Sequence, residues 1–249
     1  MTAYITVIGA GAWGTALAQA LARAGHWVCL YTHEESVAAQ INQTHSNTTY
    51  LPGVSLLPTI LATTDARRAA SATTIFVAVP VPYLRTALVP FRGLITAEHV
   101  LISLSKGIEE GSLKLPTQLI LETLGQCQIG VLGGPNIAAE VARGAHSGMV
   151  VAASHPRITA LVADLLRSPE LAISQSFDPI GVQACGAVKN VIAIGLGIAS
   201  AASGRQNTVA YLLTRGLGEM AKLSSAVGGV RATAYGVAGI GDLVVSSVG

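Results

Sequence analysis

Six residues, Gly9-Ala10-Gly11-Ala12-Trp13-Gly14, constrain this chain more than any other stretch. They follow the apolar, β-branched run Tyr4 to Ile8 and open the Ala- and Leu-rich run Trp13 to Arg23, so the GxGxxG spacing falls on a strand-to-helix turn. Gly9 permits the tight turn. Gly11 lets a pyrophosphate approach the backbone at the positive helix N-terminus, and Gly14 lets the helix lie close to the strand. The spacing in this context predicts a dinucleotide site. The acidic residue that usually selects NAD would fall near Thr32 or His33, and neither is acidic. Glu34 lies close enough to serve, whereas protonated His33 would face the 2′-phosphate of NADP, so NAD or NADP is the expected cofactor.

Strand-like runs alternate with helical ones over the first two thirds of the chain, the pattern of a parallel α/β sheet with helices on both faces. The expected strands are Tyr4 to Ile8, Trp27 to Tyr31, Thr74 to Val79, Val100 to Ser105, Gln128 to Leu132 and Met149 to Ala152. Trp13 to Arg23 and Ser112 to Leu124 have helical spacing, and Asn47 to Pro58 reads as a loop punctuated by Pro52, Gly53 and Pro58. After Phe177 the strand signal stops and helices follow from a cap-and-first-turn pair, Asp178-Pro179. The expected division is therefore 1–177 and 178–249. Gly181, Gly186, Gly195 and Gly197 fall within the first of these helices, where a close neighbour would offset their cost of about 1 kcal/mol each. That neighbour is expected across the wall between the two domains.

Composition removes several alternatives. Of 249 residues 51% are hydrophobic and only 11% charged, against about 25% charged in ordinary globular chains, so most of the length is committed to burial. Net charge is +2 with no block of Lys or Arg, which argues against nucleic acid. A mean hydropathy of +0.55 owes much to Ala. The richest stretch, Val191 to Ala202, is short of the roughly 20 apolar residues of a span and reads as a buried helix. Met1 to Thr6 lacks a charged leader, which points to the cytoplasm. Cys29, Cys127 and Cys185 have no metal-site or disulfide spacing and are expected as buried thiols, with no metal bound. Arg215 and Glu219, four apart, are expected to pair on a helix.

Two lysines stand out. Lys106, in Ser105-Lys106-Gly107, follows the strand Val100 to Ser105 at the sheet edge where open α/β folds bind ligands. Lys189 interrupts the apolar run Ala184 to Ala202, where a buried ammonium is costly unless paired. A desolvated lysine gives up its proton more readily, which suits exchange with a carbonyl or alcohol oxygen.

These residues stand in a longer series of motifs: GAGAWGTALA at 9–18, NTTYLPG at 47–53, LSKGIEEG at 104–111, GGPNIAAEVARG at 133–144, GAVKNVIAIGLG at 186–197, TRGLGEM at 214–220 and AGIGDLVVS at 238–246. In order and register over Val7 to Val245, the series resembles the bacterial-type NAD(P)-dependent sn-glycerol-3-phosphate dehydrogenases. The resemblance implies a Rossmann-like doubly wound sheet followed by an all-helical C-terminal domain. It implies that Lys189 exchanges the proton of the C2 oxygen. Lys106, Gly134, Asn136 and Asp242 match substrate contacts, with Asp242 orienting Lys189. Gly9, Gly11, Ala12, Trp13, Gly14, His33, Lys106 and Ala138 match cofactor contacts. The implied reaction is reversible hydride transfer between the nicotinamide and C2 of dihydroxyacetone phosphate, making sn-glycerol 3-phosphate for phospholipid synthesis. Ketopantoate- and hydroxyacid-type reductases share a glycine loop and a helical-domain lysine but not this ordered series.

The family's motif at Asp242 is followed by a Ser-Arg-Asn-Arg segment whose arginine grips the substrate phosphate, and these 249 residues stop before it. Two expectations follow. One is the alternative to that reaction, a catalytically silent dinucleotide-binding homologue. The other is that Tyr211 to Leu223 and Val237 to Val245 show uncovered apolar faces, which a second copy would bury as a homodimer.

Overall fold

The computed structural model describes residues 2–203 and 205–247. In chain order the first part runs β1 (Tyr4–Ile8), α1 (Ala12–Arg23), β2 (Trp27–Tyr31), α2 (Glu35–Thr44), β3 (Ser46–Asn47), β4 (Leu51–Ser55), β5 (Ile60–Thr63), α3 (Ala66–Ala69) and β6 (Thr74–Val77). It continues through α4 (Val81–Leu88), β7 (Val100–Ser103), α5 (Pro116–Leu124), β8 (Gln128–Gly133), α6 (Ala138–Arg143), β9 (Ser147–Ala152), α7 (Pro156–Leu165) and β10 (Leu171–Ser176). Helices follow: α8 (Pro179–Ser203), α9 (Gln206–Ala226), a 3-10 turn at Arg231–Tyr235, a π-turn at Val237–Gly241 and α10 (Asp242–Ser247). This is a Rossmann-like α/β sheet followed by an all-helical C-terminal domain.

One eight-stranded sheet has the order β10-β9-β8-β7-β6-β1-β2-β5, and β3 and β4 form a separate pair. Strand alternation divides two cores between its faces. Along β6, Phe76 enters the core shared with α1 and α7, while Ile75 and Val77 enter the core shared with α4 and α5. Each such fully buried Ile or Phe contributes about 1.5–3 kcal/mol. Helices on both faces explain why these strands are apolar throughout instead of alternating with polar residues.

The sheet departs from six parallel strands in two ways. It gains β5 and β10 at its edges, and β9 runs antiparallel to β8, with Val131 opposite Ala152 and Gly133 opposite Val150. Both ends of α6 consequently lie at one edge of the sheet. The strands expected over 74–79 and 100–105 stop at Val77 and Ser103, the Asn47 to Pro58 loop holds the β3–β4 pair, and the helix expected from Ser112 starts at Pro116.

The helical part also corrects two expectations. Val191 to Ala202 is not a short buried helix but part of the 25-residue α8, and Val191, Ile194 and Ile198 are 72%, 65% and 65% exposed. By length and composition alone Pro179–Ala202 could cross a membrane, yet its first half is packed into the fold, with Val182, Ala184, Cys185 and Lys189 buried. Of its four glycines, Gly181 faces the Asp178 carboxylate and Gly186 the Lys106 side chain, whereas Cβ atoms at Gly195 and Gly197 would meet nothing within 4 Å. Only two therefore serve a close approach. On α9, Tyr211, Leu212 and Leu223 are exposed as expected, while in the following segment Ala238 and Leu243 are buried and Val244 is exposed. Glu219 bonds Lys222 at 3.0 Å. Cys29 and Cys185 are buried and Cys127 half-buried, all as free thiols.

Candidate active site

The glycine loop joins β1 to α1. Gly9 takes φ +107°, and a Cβ there would lie 2.5 Å from the Ala78 carbonyl oxygen, so only glycine fits without strain. A Cβ at Gly14 would fall 1.9 Å from the Gly9 carbonyl oxygen, while one at Gly11 would meet no protein atom within 4 Å. Gly11 is the N-cap of α1 and no side chain caps the helix, so the amides of Ala12 and Trp13 are free to bind an anion. Trp13 Nε1 is a buried donor without an acceptor among the described residues. These features fit the pyrophosphate of a dinucleotide and one further acceptor on it.

Asn47, absent from the sequence-based candidates, holds this loop. Its Nδ2 donates to the Ala10 carbonyl and to Thr15 Oγ1, both at 2.8 Å, and its Oδ1 accepts from the Tyr50 amide at 3.2 Å. His33 is exposed after β2. Glu34 is engaged: Tyr50 donates its phenolic proton to Oε1 at 2.7 Å, and that carboxylate pushes the phenol's pKa up. Ala138 opens α6, whose C-terminal carbonyls at Val141 and Ala142 accept from the Arg23 guanidinium at 2.5 Å each. Arg23 thus locks α6 to the end of α1.

The second cluster gathers Lys106, Gly134, Asn136, Lys189 and Asp242. Asp242 is only 1% exposed and Lys189 6%. The Lys189 ammonium donates to Asp242 Oδ1 at 2.5 Å and to Ser246 Oγ at 3.0 Å. Lys106 donates to Asp242 Oδ2 at 2.7 Å, Asn136 Oδ1 at 3.1 Å and the Gly134 carbonyl at 3.3 Å. One buried carboxylate therefore holds two ammoniums, one from each part of the fold. Burial pulls Lys106 down to about 8, with the Lys189 charge acting the same way and Asp242 opposing both. The Asn136 Nδ2 is buried without an acceptor among the described residues, a donor available for a substrate oxygen.

Local structure explains the convergence. Gly107 at φ +131° turns the chain after β7. Glu109 in the same loop is gripped by Arg85 at 2.6 and 2.9 Å, and Arg85 also reaches Glu122 on α5. Gly134 at φ +105° aims its carbonyl at Lys106 from the end of β8. The π-turn delivers Asp242 to the start of α10, and Ser246 follows one helical turn later. Ser246 was not foreseen, although its i+4 spacing from Asp242 is the signal that would have found it. A cavity of about 510 Å³ lies between Ile108, Leu115, Gln183, Val188 and Leu223 and is lined by none of these site residues. It is apolar and separate from the chemistry.

Known proteins resemble both parts of the chain. The family model described as NAD-dependent glycerol-3-phosphate dehydrogenase N-terminus matches residues 4–159, and the corresponding C-terminus model matches residues 178–249. A glycerol-3-phosphate dehydrogenase [NAD(P)+] of Caulobacter vibrioides is 40% identical over 242 residues, covering 97% of this chain and 73% of the relative. One from Mycobacterium bovis is 40% identical over 245 residues, again covering 97% and 73%. A crystal structure of the Coxiella burnetii glycerol-3-phosphate dehydrogenase superposes with a TM-score of 0.93 at 33% identity, covering all of this chain and 76% of that one. Both halves of the family pattern are present in order, so the chain belongs to the NAD(P)-dependent glycerol-3-phosphate dehydrogenases, a family of oxidoreductases.

Proposed function

We propose that this chain reduces dihydroxyacetone phosphate to sn-glycerol 3-phosphate with NADH or NADPH, reversibly, and so supplies glycerophospholipid synthesis. The observation that carries the reading is the single Asp242 carboxylate held between Lys106 and Lys189, beside an Asn136 Nδ2 that has no acceptor among the described residues. In this reading residues 1–177 hold the cofactor through Gly9, Gly11, Ala12, Trp13, Gly14, His33 and Ala138, and residues 178–249 bring Lys189 and Asp242 to the substrate. The site lies in a cytoplasmic protein with no nucleic-acid partner.

When bound, the nicotinamide would supply the hydride that adds to C2 of the ketone. As that C–H bond forms, the carbonyl π pair moves onto oxygen, and nearby ammoniums stabilise the negative charge. Lys189 Nζ transfers a proton to this oxygen, giving the C2 alcohol, and the neutral amine regains a proton from water. In the oxidative direction the neutral amine takes the alcohol proton as hydride leaves. Asp242 keeps Lys189 aimed, Lys106 supplies the second positive charge, and Asn136 donates to a substrate oxygen.

The test follows NADH and NADPH absorbance with dihydroxyacetone phosphate, alongside a binding titration of each cofactor. Lys189→Ala is expected to lower turnover about 10²–10⁴-fold, the usual contribution of a general acid, while cofactor affinity stays within about twofold. Unchanged turnover in Lys189→Ala would sink the assignment. Cofactor binding with no turnover in the unaltered chain would establish the silent homologue instead.

A further inference from the structure

Asp178 lies apart from the cluster just described, and the demands on it are unusual. Its side chain is buried. Oδ1 accepts from the Gly181 amide at 2.8 Å, while Oδ2 accepts from the Val230 amide at 2.8 Å and Thr233 Oγ1 at 2.5 Å. None of these donors is cationic. Capping α8 accounts for the first bond, but the other two reach more than 50 residues along the chain.

The surrounding glycines are cut to this arrangement. A Cβ on Gly181 would lie 1.9 Å from Asp178 Oδ2, and one on Gly229 would lie 2.7 Å from the Gly181 Cα. Two chain paths leave this point. One climbs α8 from Gly181 to Lys189, about 12 Å at 1.5 Å per residue. The other runs from Val230 and Thr233 through the π-turn to Asp242, and it is stiff: a Cβ on Gly239 would lie 2.0 Å from the Ala234 carbonyl oxygen. The paths meet again at the Lys189–Asp242 bond. Asp178 and that ion pair are thus the two pins of one closed ring.

We propose that Asp178 is a positioning residue for the reaction, setting the register between α8 and the 230–241 segment so that Asp242 meets both lysines. A shift at the lower pin displaces Asp242 from Lys189 and Lys106 together. The groups facing Lys106 are Asp242, Lys189, Asn136 and the Gly134 carbonyl, so the charge state of Lys106 reports where Asp242 stands. Cys185, also near Asp178, is pushed up to about 12, chiefly by burial and next by the Asp178 charge, and does not ionise in the working range.

The inference rests on the proposed reduction for its rate readout alone. The experiment uses the full chain labelled at lysine Cε, with the Lys106 resonance titrated by NMR in the unaltered protein, Asp178→Asn, Thr233→Val and Thr233→Ser. Withdrawing Asp242 removes the partner that holds the ammonium charged, so in Asp178→Asn the Lys106 midpoint is expected to fall by about half a unit or more. Thr233→Val should shift it in the same direction, and Thr233→Ser, which keeps the hydroxyl, should restore it. With dihydroxyacetone phosphate, kcat should fall about tenfold in the first two variants with cofactor affinity within about twofold. A midpoint that stays in place or rises in folded Asp178→Asn would overturn the proposal. If Asp178→Asn does not fold, the Thr233 pair decides by the same criterion. An unaltered chain without turnover counts against the proposed reaction, while the titration still tests Asp178.

Discussion

Asp242 faces two ammoniums with one carboxylate, and this sets the pH behaviour of the site. Lys106 titrates near 8 because burial and Lys189 outweigh the help of Asp242. Ketone reduction needs positive charge beside the developing oxyanion, so its rate is expected to fall as pH rises through about 8. Asp242→Asn removes the one group opposing that depression and moves the limb to lower pH, as a pH profile of kcat would show. The same shift bears on stability. Folded Lys106 releases its proton near 8 and the unfolded side chain near 10.5, so between these values the unfolded state binds more protons and stability rises with pH. Asn47 acts at the other cluster. Asn47→Ala breaks two bonds holding the glycine loop and is expected to weaken cofactor binding by about 1 kcal/mol, read by NADH fluorescence titration, with the limb near 8 unmoved. Lys189 was legible in the sequence because an ammonium in an apolar helical run demands a partner. Asn47 was not, because a polar residue in a polar loop looks the same whether it meets water or another turn.

At the scale of elements, legibility followed burial. β1, β6 and β7 carry apolar residues on both faces and read plainly as strands. β10, with Ser174 and Gln175 exposed, is an edge strand with one side toward solvent, so its signal is diluted. The reversal at β9 left no trace in its own residues, because apolar side chains meet the two cores whichever way a strand runs. The connection is no plainer a signal, since the still shorter α3, four residues long, returns the chain between the parallel strands β5 and β6. Glycines within α8 were legible as positions and misleading as packing. Because Cβ atoms at Gly195 and Gly197 meet nothing, Gly195→Ala and Gly197→Ala are each expected to stabilise the protein by about 0.4–1 kcal/mol, measured by thermal denaturation.

For the whole molecule, the exposed α8 residues Val191, Ile194 and Ile198 fall at i, i+3 and i+7 and form a stripe along one side of the helix. Their exposure favours association, so sedimentation velocity is expected to show a concentration-dependent increase in size for this chain. Replacing Ile194 with Lys and Ile198 with Glu should abolish it without altering cofactor affinity. The antiparallel entry of β9 has a different consequence. Since the chain leaves β8 and enters β9 at the same edge, the excursion from Gly134 to His146 is a closed detour that carries Asn136 and Ala138 while contributing no strand. Such a detour can lengthen, shorten or change its chemistry while the strand pairing beneath it is inherited intact. The ligand contacts at Asn136 and Ala138 can therefore change without re-pairing β8 and β9, provided that α6 keeps the Val141 and Ala142 carbonyls on Arg23.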